Sequence, residues 1–459
     1  MKKLLFTLLI LVGFAMQATA QSFQSGDLLY SVIGSNPPRV SLDGHVDGTA
    51  AQGPLLIPDT VEYHGNSYAV TEISPQAFCD CRHLSGDLVI PNTVKRIGKR
   101  AFCQTLMSTL TLPNSVIEIG REAFRSTRFS GSLVLPNALE RLEPGVFKES
   151  PVFTGDLVIP ESVTYIGDSA FAWCYGFDGQ LKIEGLVQSI GKSAFHGCSS
   201  LKGDLLIPES VQDLGRGAFY KCSGFNGMLS LPTQLTTIHE RCFDECSGFT
   251  GSLVIPESVT TIEDYAFIRC GFSGELFIPN NVVSVGLGAF AECNGITSLV
   301  LGGNVERMEY LAFSNLTNLQ SMKIHVETPP ELHYLTFANV PRDIPVYIPC
   351  NTLELYQNAD YWGEFTNFIE DCSLVVDENG LNGVMVSTFP NPAKGNLNLE
   401  FSPDVTPTRI ELYDLQGRLV RRQTTALECI NMEGLAAGTY MMRVTLEGGK
   451  VFSDKVVKE

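Results

Sequence analysis

Cysteine and histidine are the residues of this sequence best suited to chemistry, and their spacing indicates what they could do. The chain of 459 residues contains 13 Cys and 7 His. The histidines lack a metal-binding spacing, since His239-Glu240 has no second His four residues after the first, as a zinc-protease helix requires. The sequence also has no Gly-x-Ser-x-Gly elbow and no Gly-rich phosphate loop before a helix. It therefore predicts no catalytic residue, no metal site and no cofactor.

The cysteines follow a register instead of forming ligand clusters. In a stack of coils, equivalent residues would lie about 4.8 Å apart, which is wider than the roughly 3.8 Å between Cβ atoms that a disulfide prefers. A straight column cannot surround a tetrahedral zinc ion either. We expect buried thiols that pack as small hydrophobic side chains. Seven cysteines share this register, three residues after a Phe: Cys81, Cys174, Cys198, Cys222, Cys246, Cys270 and Cys293. The off-register Cys350 and Cys372 are the expected disulfide pair.

A repeat of about 24 residues positions these cysteines. Twelve phenylalanines recur at intervals of 22, 23 or 24 residues: Phe78, Phe102, Phe124, Phe147, Phe171, Phe195, Phe219, Phe243, Phe267, Phe290, Phe313 and Phe337. A Pro lies eleven residues before most of them. Two markers held in phase over this length predict a solenoid, in which each coil buries its apolar face against its neighbours.

One repeat shows how a coil is built. Leu253-Val254-Ile255 alternates as a short strand that places Leu253 and Ile255 inward. Pro256 ends the strand because it lacks an amide N–H. Val259 and Phe267 then return apolar side chains to the interior. The Gly of several Ile-Gly pairs, as at Gly191, suits a tight bend that a positive φ would allow.

The run Ile255-Pro256-x-x-Val259-x-x-Ile262-x-x-x-Ala266-Phe267-x-x-Cys270 resembles the BspA-type leucine-rich repeat of bacterial surface proteins. The resemblance covers about residues 55–340. It implies a solenoid of about 11–12 coils of 22–24 residues, with short parallel strands joined by turns or short helical segments. The implied divisions are an N-terminal cap with a first irregular repeat at 21–77, the array at 78–340 and a closing cap at 341–376. For function, it implies adhesion to host or bacterial surface proteins.

The first twenty residues predict a secretory signal peptide. Lys2 and Lys3 precede the apolar stretch 4–14, and Ala20 ends a small-residue cleavage site before Gln21. The apolar stretch is too short to span a membrane, and no other segment approaches the required length. We therefore expect an exported chain with no membrane-spanning segment.

The repeat ends after Cys372, and residues 377–383 read as a polar linker. Residues 384–459 show short strands separated by turns, which is typical of a small antiparallel β-sandwich. This segment resembles the type A sorting domain of the type IX secretion system. The landmarks are Pro390, Asn391, Pro392, Gly395, Gly417, Gly438, Tyr440 and Lys455. The resemblance implies export across the outer membrane of a Gram-negative, Bacteroidetes-like bacterium, followed by release or surface attachment.

The net charge and the residues at outward strand positions indicate which kind of partner the protein could bind. The formal net charge of −18 argues against nucleic acid, which requires clustered Lys and Arg. Outward positions on the sheet face form a mostly apolar column, of a kind that often marks an interaction site: Val89, Val134, Val158, Lys182, Leu206, Val254, Phe277 and Val300. We expect a non-enzymatic binding protein, monomeric or weakly oligomeric, that presents this face to an extracellular protein or glycan. A structural spacer without a ligand and a secreted hydrolase remain alternatives.

Two short motifs resemble bacterial O-glycosylation sequons. They are Asp59-Thr60-Val61 and Asp168-Ser169-Ala170. Thr60 and Ser169 are therefore candidate modification sites.

Overall fold

The computed structural model describes residues 21–374, 386–389, 391–401, 406–414, 418–446 and 451–459. The predicted signal peptide and linker lie outside these residues, as do Ala20, Pro390 and Gly417.

The chain begins with a small sheet that closes the first end of the array. Its strands are Ser22–Ser25, Leu28–Ser35, Pro38–His45, Thr60–Tyr63 and Asn66–Ile73. Pro38–His45 pairs in parallel with Asn66–Ile73, which in turn pairs in parallel with Arg96–Ile97 of the repeats. A 3-10 turn, Gly48–Ala50, and the short parallel pair Gln52–Pro54 and His83–Ser85 complete this end. The cap thus covers an edge that would otherwise expose unpaired backbone groups.

The repeats form a solenoid, as predicted, with two rows of short parallel strands. The first row precedes the repeat Pro: Leu88–Val89, Leu110–Thr111, Leu157–Ile159, Leu181–Ile183, Leu205–Leu206, Leu229–Ser230, Ser273–Ile278, Gly295–Leu301, Ser321–Ile324 and Val346–Ile348. The second row follows it: Arg96–Ile97, Glu118–Ile119, Arg141–Leu142, Tyr165–Ile166, Ser189–Ile190, Asp213–Leu214, Thr237–Ile238, Thr261–Ile262, Ser284–Val285, Arg307–Met308 and Glu331–Leu332. Equivalent residues pair in register, as Leu157 does with Leu181.

The first row is interrupted, which corrects the strand expected at 253–255. Residues 133–135 and 253–255 lie outside the assigned strands. Leu253 and Ile255 are nevertheless buried, and Val254 is 49% exposed. The side chains of residues 253–255 therefore still alternate between interior and exterior, although these residues form no strand.

A column of stacked rings runs through the interior of the array. The twelve repeat phenylalanines are buried, and the ring centroids of neighbours lie 5.2–5.7 Å apart with interplanar angles of 1–14°. The backbone around each Phe also joins coils, since the Phe171 N–H donates to the Ala194 carbonyl at 2.8 Å. A second set of aromatic rings, which the sequence analysis did not identify, packs edge-on against the first column: Phe129, Phe153, Phe177, Phe225 and Phe272. Phe249 stacks between Phe225 and Phe272.

The register cysteines form a buried column of hydrogen-bond donors. Each Sγ from Cys174 to Cys293 lies 3.0–3.2 Å from the carbonyl oxygen of the Phe in the preceding coil. Ser150, in the same register, donates from its hydroxyl to the Phe124 carbonyl at 2.8 Å. These thiols therefore pack as predicted. Each also adds a hydrogen bond between coils, in most cases to a Phe carbonyl that already accepts a backbone N–H, as Phe171 accepts from Cys174 at 3.1 Å.

The glycines after the second-row strands correct an expectation about φ. Gly191 has no positive φ; a Cβ there would lie 2.6 Å from the backbone nitrogen of Asp168 in the preceding coil. Position 191 requires glycine because the backbones of neighbouring coils approach too closely there to leave room for a side chain. Left-handed residues occur instead two positions before and after the Phe, as at Ser169 (φ 55°) and Trp173 (φ 64°). These two positions turn the chain around the buried ring.

The far end of the array is closed by a compact cap. It contains the helix Leu353–Asn358, the 3-10 turns Trp362–Glu364 and Cys372–Leu374, and the strand Phe368–Glu370. The Tyr356 hydroxyl donates to the Val326 carbonyl at 2.6 Å, and the Trp362 indole donates to the Pro330 carbonyl at 2.8 Å. A disulfide joins Cys350 to Cys372, the pair expected from the sequence. A second disulfide, Cys79–Cys103, was not expected, and it joins the first two coils.

The C-terminal residues form two antiparallel sheets around their own core, as predicted. One sheet contains Val386–Phe389, Asn396–Phe401 and Cys429–Asn431. The other contains Leu419–Gln423, Pro407–Tyr413, Gly438–Leu446 and Val451–Lys458. Ile410, Met442 and Val456 are among the residues buried between them.

Candidate ligand-binding face

The outward residues of the first-row strands, with Val134 and Val254 at the equivalent positions, define the candidate face, which we call the face column. Each lies between two inward side chains, two residues before the repeat Pro or before the residue that replaces it, Glu184 or Gly302. In Leu157–Ile159, for example, Leu157 and Ile159 are buried and Val158 is half-buried. Val158 lies in register with Lys182 of the next coil.

Four of the predicted apolar residues of this column are strongly exposed. The exposed fractions are 55% for Val89, 70% for Val134, 55% for Leu206 and 49% for Val254. Phe277 is half-buried in its strand. Exposed aliphatic side chains at one repeated position provide apolar surface from which a partner could exclude water.

Val300 does not belong to the exposed surface, which corrects the prediction. Its side chain is only 7% exposed. Val300 lies in register between Phe277 and Lys323. These longer side chains flank the valine on both sides, so it is shielded although its position points away from the core.

The sequence analysis missed one exposed member of the face column. Leu56 stands two residues before Pro58, in the same relation as Val89 to Pro91, and it is 80% exposed. The run Leu55-Leu56-Ile57-Pro58 shows the same pattern as the later repeats and could have predicted this position. Leu56 was not included because it precedes the irregular first repeat, and the column was defined from the regular coils.

Polar residues divide the column into separate apolar patches. Thr111 lies between Val89 and Val134, and Ser230 lies between Leu206 and Val254. Lys182 pairs with Asp156 at 2.6 Å, and this hydrogen bond, together with the backbone N–H of Gln180, lowers the pKa of the Asp156 carboxyl.

The C-terminal domain contacts this surface near Ser230. The Lys455 ammonium nitrogen lies 3.5 Å from the Ser230 hydroxyl and 3.6 Å from Glu209 Oε1.

Burial makes the cysteine thiols of the array unreactive. Burial raises the pKa of the Cys174 and Cys293 thiols to about 12, so these thiols stay protonated at neutral pH and are poor nucleophiles. Within the described ranges, no three His, Cys, Asp or Glu side chains are grouped as a metal site. No helix among the described residues is long and apolar enough to cross a bilayer.

The candidate modification sites differ in accessibility. Thr60 is exposed at the start of the strand Thr60–Tyr63. Ser169 is half-buried in the turn before Phe171. Gln21, which would follow signal-peptide cleavage, is exposed.

The described landmarks of the C-terminal domain hold its last strand in place. The Asn391 amide donates to the Lys455 carbonyl at 3.0 Å, and its Oδ1 accepts from the Val457 N–H at 2.8 Å. The Tyr440 hydroxyl donates to the Ala436 carbonyl at 2.8 Å. Pro392 and Gly395 follow Asn391 in the segment that pairs with the chain end, and Gly438 begins the strand Gly438–Leu446.

The repeats match a known family. The description "BspA type Leucine rich repeat region" fits six copies within residues 65–178, 179–273 and 228–342. The chain belongs to the BspA-type leucine-rich repeat family. A second match, over residues 387–459, is to a secretion system C-terminal sorting domain. The BspA-type array and the sorting domain together indicate an exported surface protein built on a repeat scaffold, with involvement of the type IX secretion machinery.

Solved structures of other bacterial proteins resemble the BspA-type chain. A leucine-rich cell surface protein from Faecalibacterium prausnitzii is 18% identical, covers 79% of this chain and 97% of its own, and has a TM-score of 0.45. A leucine-rich repeat protein from Bacteroides ovatus is 21% identical, with a TM-score of 0.45, and the match covers 76% of this chain and 99% of that protein. The pneumococcal vaccine antigen PcpA is 18% identical, with a TM-score of 0.40, and the match covers 77% of this chain and 99% of the antigen. No curated protein matches the sequence.

Proposed function

We propose that the protein is an exported, non-enzymatic binding protein whose face column contacts a protein or a glycan outside the cell. The observation that carries this proposal is the exposure of Leu56, Val89, Val134, Leu206 and Val254 at one repeated outward position. A chain that only stacked coils would gain nothing from large apolar side chains in water at these places, and exposed apolar patches commonly mark interaction sites.

The predicted signal peptide and the sorting domain support an export route in two steps. The signal peptide would direct the chain across the inner membrane, and the C-terminal domain would direct it through the type IX machinery. The mature protein would be released or attached at the outer surface of a Gram-negative bacterium, as a monomer or weak oligomer. Its domains would follow the boundaries given by the sequence, with the array ending at residue 340 and the sorting domain beginning at 384.

A triple variant tests the face column. Val134→Ser, Leu206→Ser and Val254→Ser together remove apolar surface that the fold does not bury, so thermal stability should change little. We expect at least a fivefold loss of binding of the purified array to bacterial cells and to wells coated with extracellular matrix protein or mucin. The matched control replaces exposed apolar residues away from the column: Ile117→Ser, Leu186→Ser and Val283→Ser.

A structural spacer is the second candidate. Thr111, Lys182 and Ser230 interrupt the apolar column, which favours separate patches over one continuous interface. Unchanged binding in the triple variant, with an intact fold, would contradict the face-column proposal and favour the spacer.

A further inference from the structure

A cleft of about 250 Å³ opens on the turn that follows the buried phenylalanines, and no residue of the face column lines it. Its walls come from residues two and four positions after the Phe in consecutive coils. Trp173 and Tyr175 form one end, and Lys221 and Glu245 form the other. We propose that this cleft binds a carbohydrate through one or two pyranose rings.

Trp173 is the feature that singles out this part of the turn. Its side chain is 40% exposed, and its backbone has a φ of 64°. The left-handed backbone is common to this position in other coils, where the residue is polar, as at Asp80, Gln104 and Asn315. Trp173 is the one aromatic residue among the positions two residues after a repeat Phe. The exposed ring, and not the backbone conformation, therefore indicates a local function.

Gly197 is matched to the tryptophan. It occupies the equivalent position in the next coil, with a φ of 74°. A Cβ added there would lie only 2.6 Å from Cε3 of the Trp173 ring. The absence of a side chain thus lets the indole lie over the next coil, and Tyr175, which is 50% exposed, stands beside it. Trp173 and Tyr175 thus place two exposed aromatic side chains at one end of the cleft, and the Trp173 ring also contacts His196, with ring centroids 4.4 Å apart.

The rest of the cleft offers hydrogen bonds of both kinds. Ser199 and Ser223 contribute hydroxyl groups, and among the described residues neither hydroxyl has a hydrogen-bond partner. Lys221 can donate and Glu245 can accept. The ion pair of Glu245 with Arg269 is long, at 3.9 Å between Arg269 Nη1 and Glu245 Oε1, which leaves the Glu245 carboxylate available to a ligand.

This combination fits a sugar ring better than a protein surface. The C–H face of a pyranose packs on an aromatic ring, and its hydroxyl groups both donate and accept hydrogen bonds, as Ser, Lys and Glu require. Opposite charges at one end favour no net charge in the ligand. A stable protein partner commonly covers about 800 Å² per side, whereas this cleft is small, below the roughly 300–1,000 Å³ typical of pockets for larger ligands.

Tryptophan fluorescence gives a direct test on the full mature chain. The sequence has two Trp, and Trp362 is buried in the closing cap, so quenching by acrylamide reports mainly on Trp173. The probes are soluble mannan, xylan, chitooligosaccharide and mucin O-glycans. We expect at least one to shift the emission saturably and to protect Trp173 from the quencher.

Two variants identify the site. Trp173→Gly removes the ring and also relieves the backbone strain, so the fold is retained. Tyr175→Ser keeps the tryptophan signal while removing its neighbour. Glycan affinity, measured by calorimetry, should fall at least tenfold in each, whereas Tyr334→Ser, which replaces another exposed aromatic residue of the array, should bind normally.

Three results would overturn the carbohydrate site: no response to any probe, unchanged affinity in both variants, or mucin binding that survives complete deglycosylation. The face-column triple variant leaves this cleft intact. Failure of the adhesion proposal and failure of the carbohydrate site can therefore be told apart.

Discussion

At the scale of single residues, Asp244 places a carboxylate in the wall of the array where Ala172, Ala291 and Ala338 stand in other coils. Its side chain is almost fully buried, and Oδ1 has no hydrogen-bond partner. Burial raises the pKa of Asp244 from 3.8 to about 6, although Arg241 contacts Oδ2 at 2.8 Å and acts in the opposite direction. The folded protein thus holds this proton more tightly than the unfolded chain does.

Asp244→Ala should therefore stabilise the array at neutral pH. Since the folded pKa lies above the unfolded one, the wild type loses stability as the pH rises from about 4 to about 6, and the penalty remains above that range. We expect the variant to raise the free energy of unfolding by about 2 kcal/mol at pH 8 and to differ little at pH 3.5. Urea unfolding at both pH values measures this difference.

The control for Asp244 is Glu161→Ala, which removes an exposed carboxylate from another coil. It should change stability little at either pH. An equal effect of the two substitutions would show that burial of Asp244 does not carry the penalty.

Sequence reasoning was most reliable for residues whose position follows from periodicity alone. The Phe column and the exposed Val134 follow directly from alternation and period. The burial of Val300 could not be predicted, because it depends on the size of its register neighbours Phe277 and Lys323. Trp173 was missed for a similar reason, since its exposure depends on the glycine that faces it in the next coil.

At the scale of elements, each end of the array carries a disulfide that links adjacent coils. Cys79–Cys103 spans 24 residues and Cys350–Cys372 spans 22. End coils of a solenoid have a neighbour on one side only, so they open more easily than central coils. A covalent link between the last two layers opposes this opening.

Removing a terminal disulfide should destabilise the chain more than removing interior thiols. Cys350→Ser with Cys372→Ser should lower the free energy of unfolding by about 3 kcal/mol, because a closed loop of this length is released. The control Cys198→Ser with Cys222→Ser should cost less, since Ser150 already makes the same hydrogen bond in its own coil. Urea unfolding with and without reductant compares them; insensitivity of the wild type to reductant would contradict the expectation.

The strands show what local sequence does and does not specify. The Leu-x-Ile alternation predicted the first row, and the structure has it with interruptions. The second row was not predicted as strands, because segments of two residues such as Arg96–Ile97 show no alternation. These strands form only because neighbouring coils place equivalent residues side by side. The Cys79–Cys103 link likewise depends on two coils meeting.

At the scale of the whole molecule, contacts in the array are made between successive coils. Phe219 stacks between Phe195 at 5.2 Å and Phe243 at 5.7 Å, whereas Phe78 stacks on Phe102 alone within the column. Stability in such a stack is approximately a sum of coil terms and interface terms. The period of the sequence was sufficient to predict this organisation.

A central ring should therefore matter more than a terminal one. Phe219→Ala should cost about 3–5 kcal/mol and should split unfolding into separate transitions for the two halves. Phe78→Ala should allow the first coil to open while the rest of the array unfolds as before. Hydrogen exchange resolved along the chain distinguishes these outcomes, and identical single transitions in both variants would contradict a one-dimensional stack.

The buried thiols also allow the local opening of each coil to be measured by chemical labelling. Six register cysteines, Cys174, Cys198, Cys222, Cys246, Cys270 and Cys293, mark six neighbouring coils, and each is buried while its coil is packed against the next. An alkylating agent can reach a given sulfur only when its coil separates from the next. Mass spectrometry of the labelled peptides would then report, coil by coil, where the molecule first comes apart under heat, force or an attached cargo.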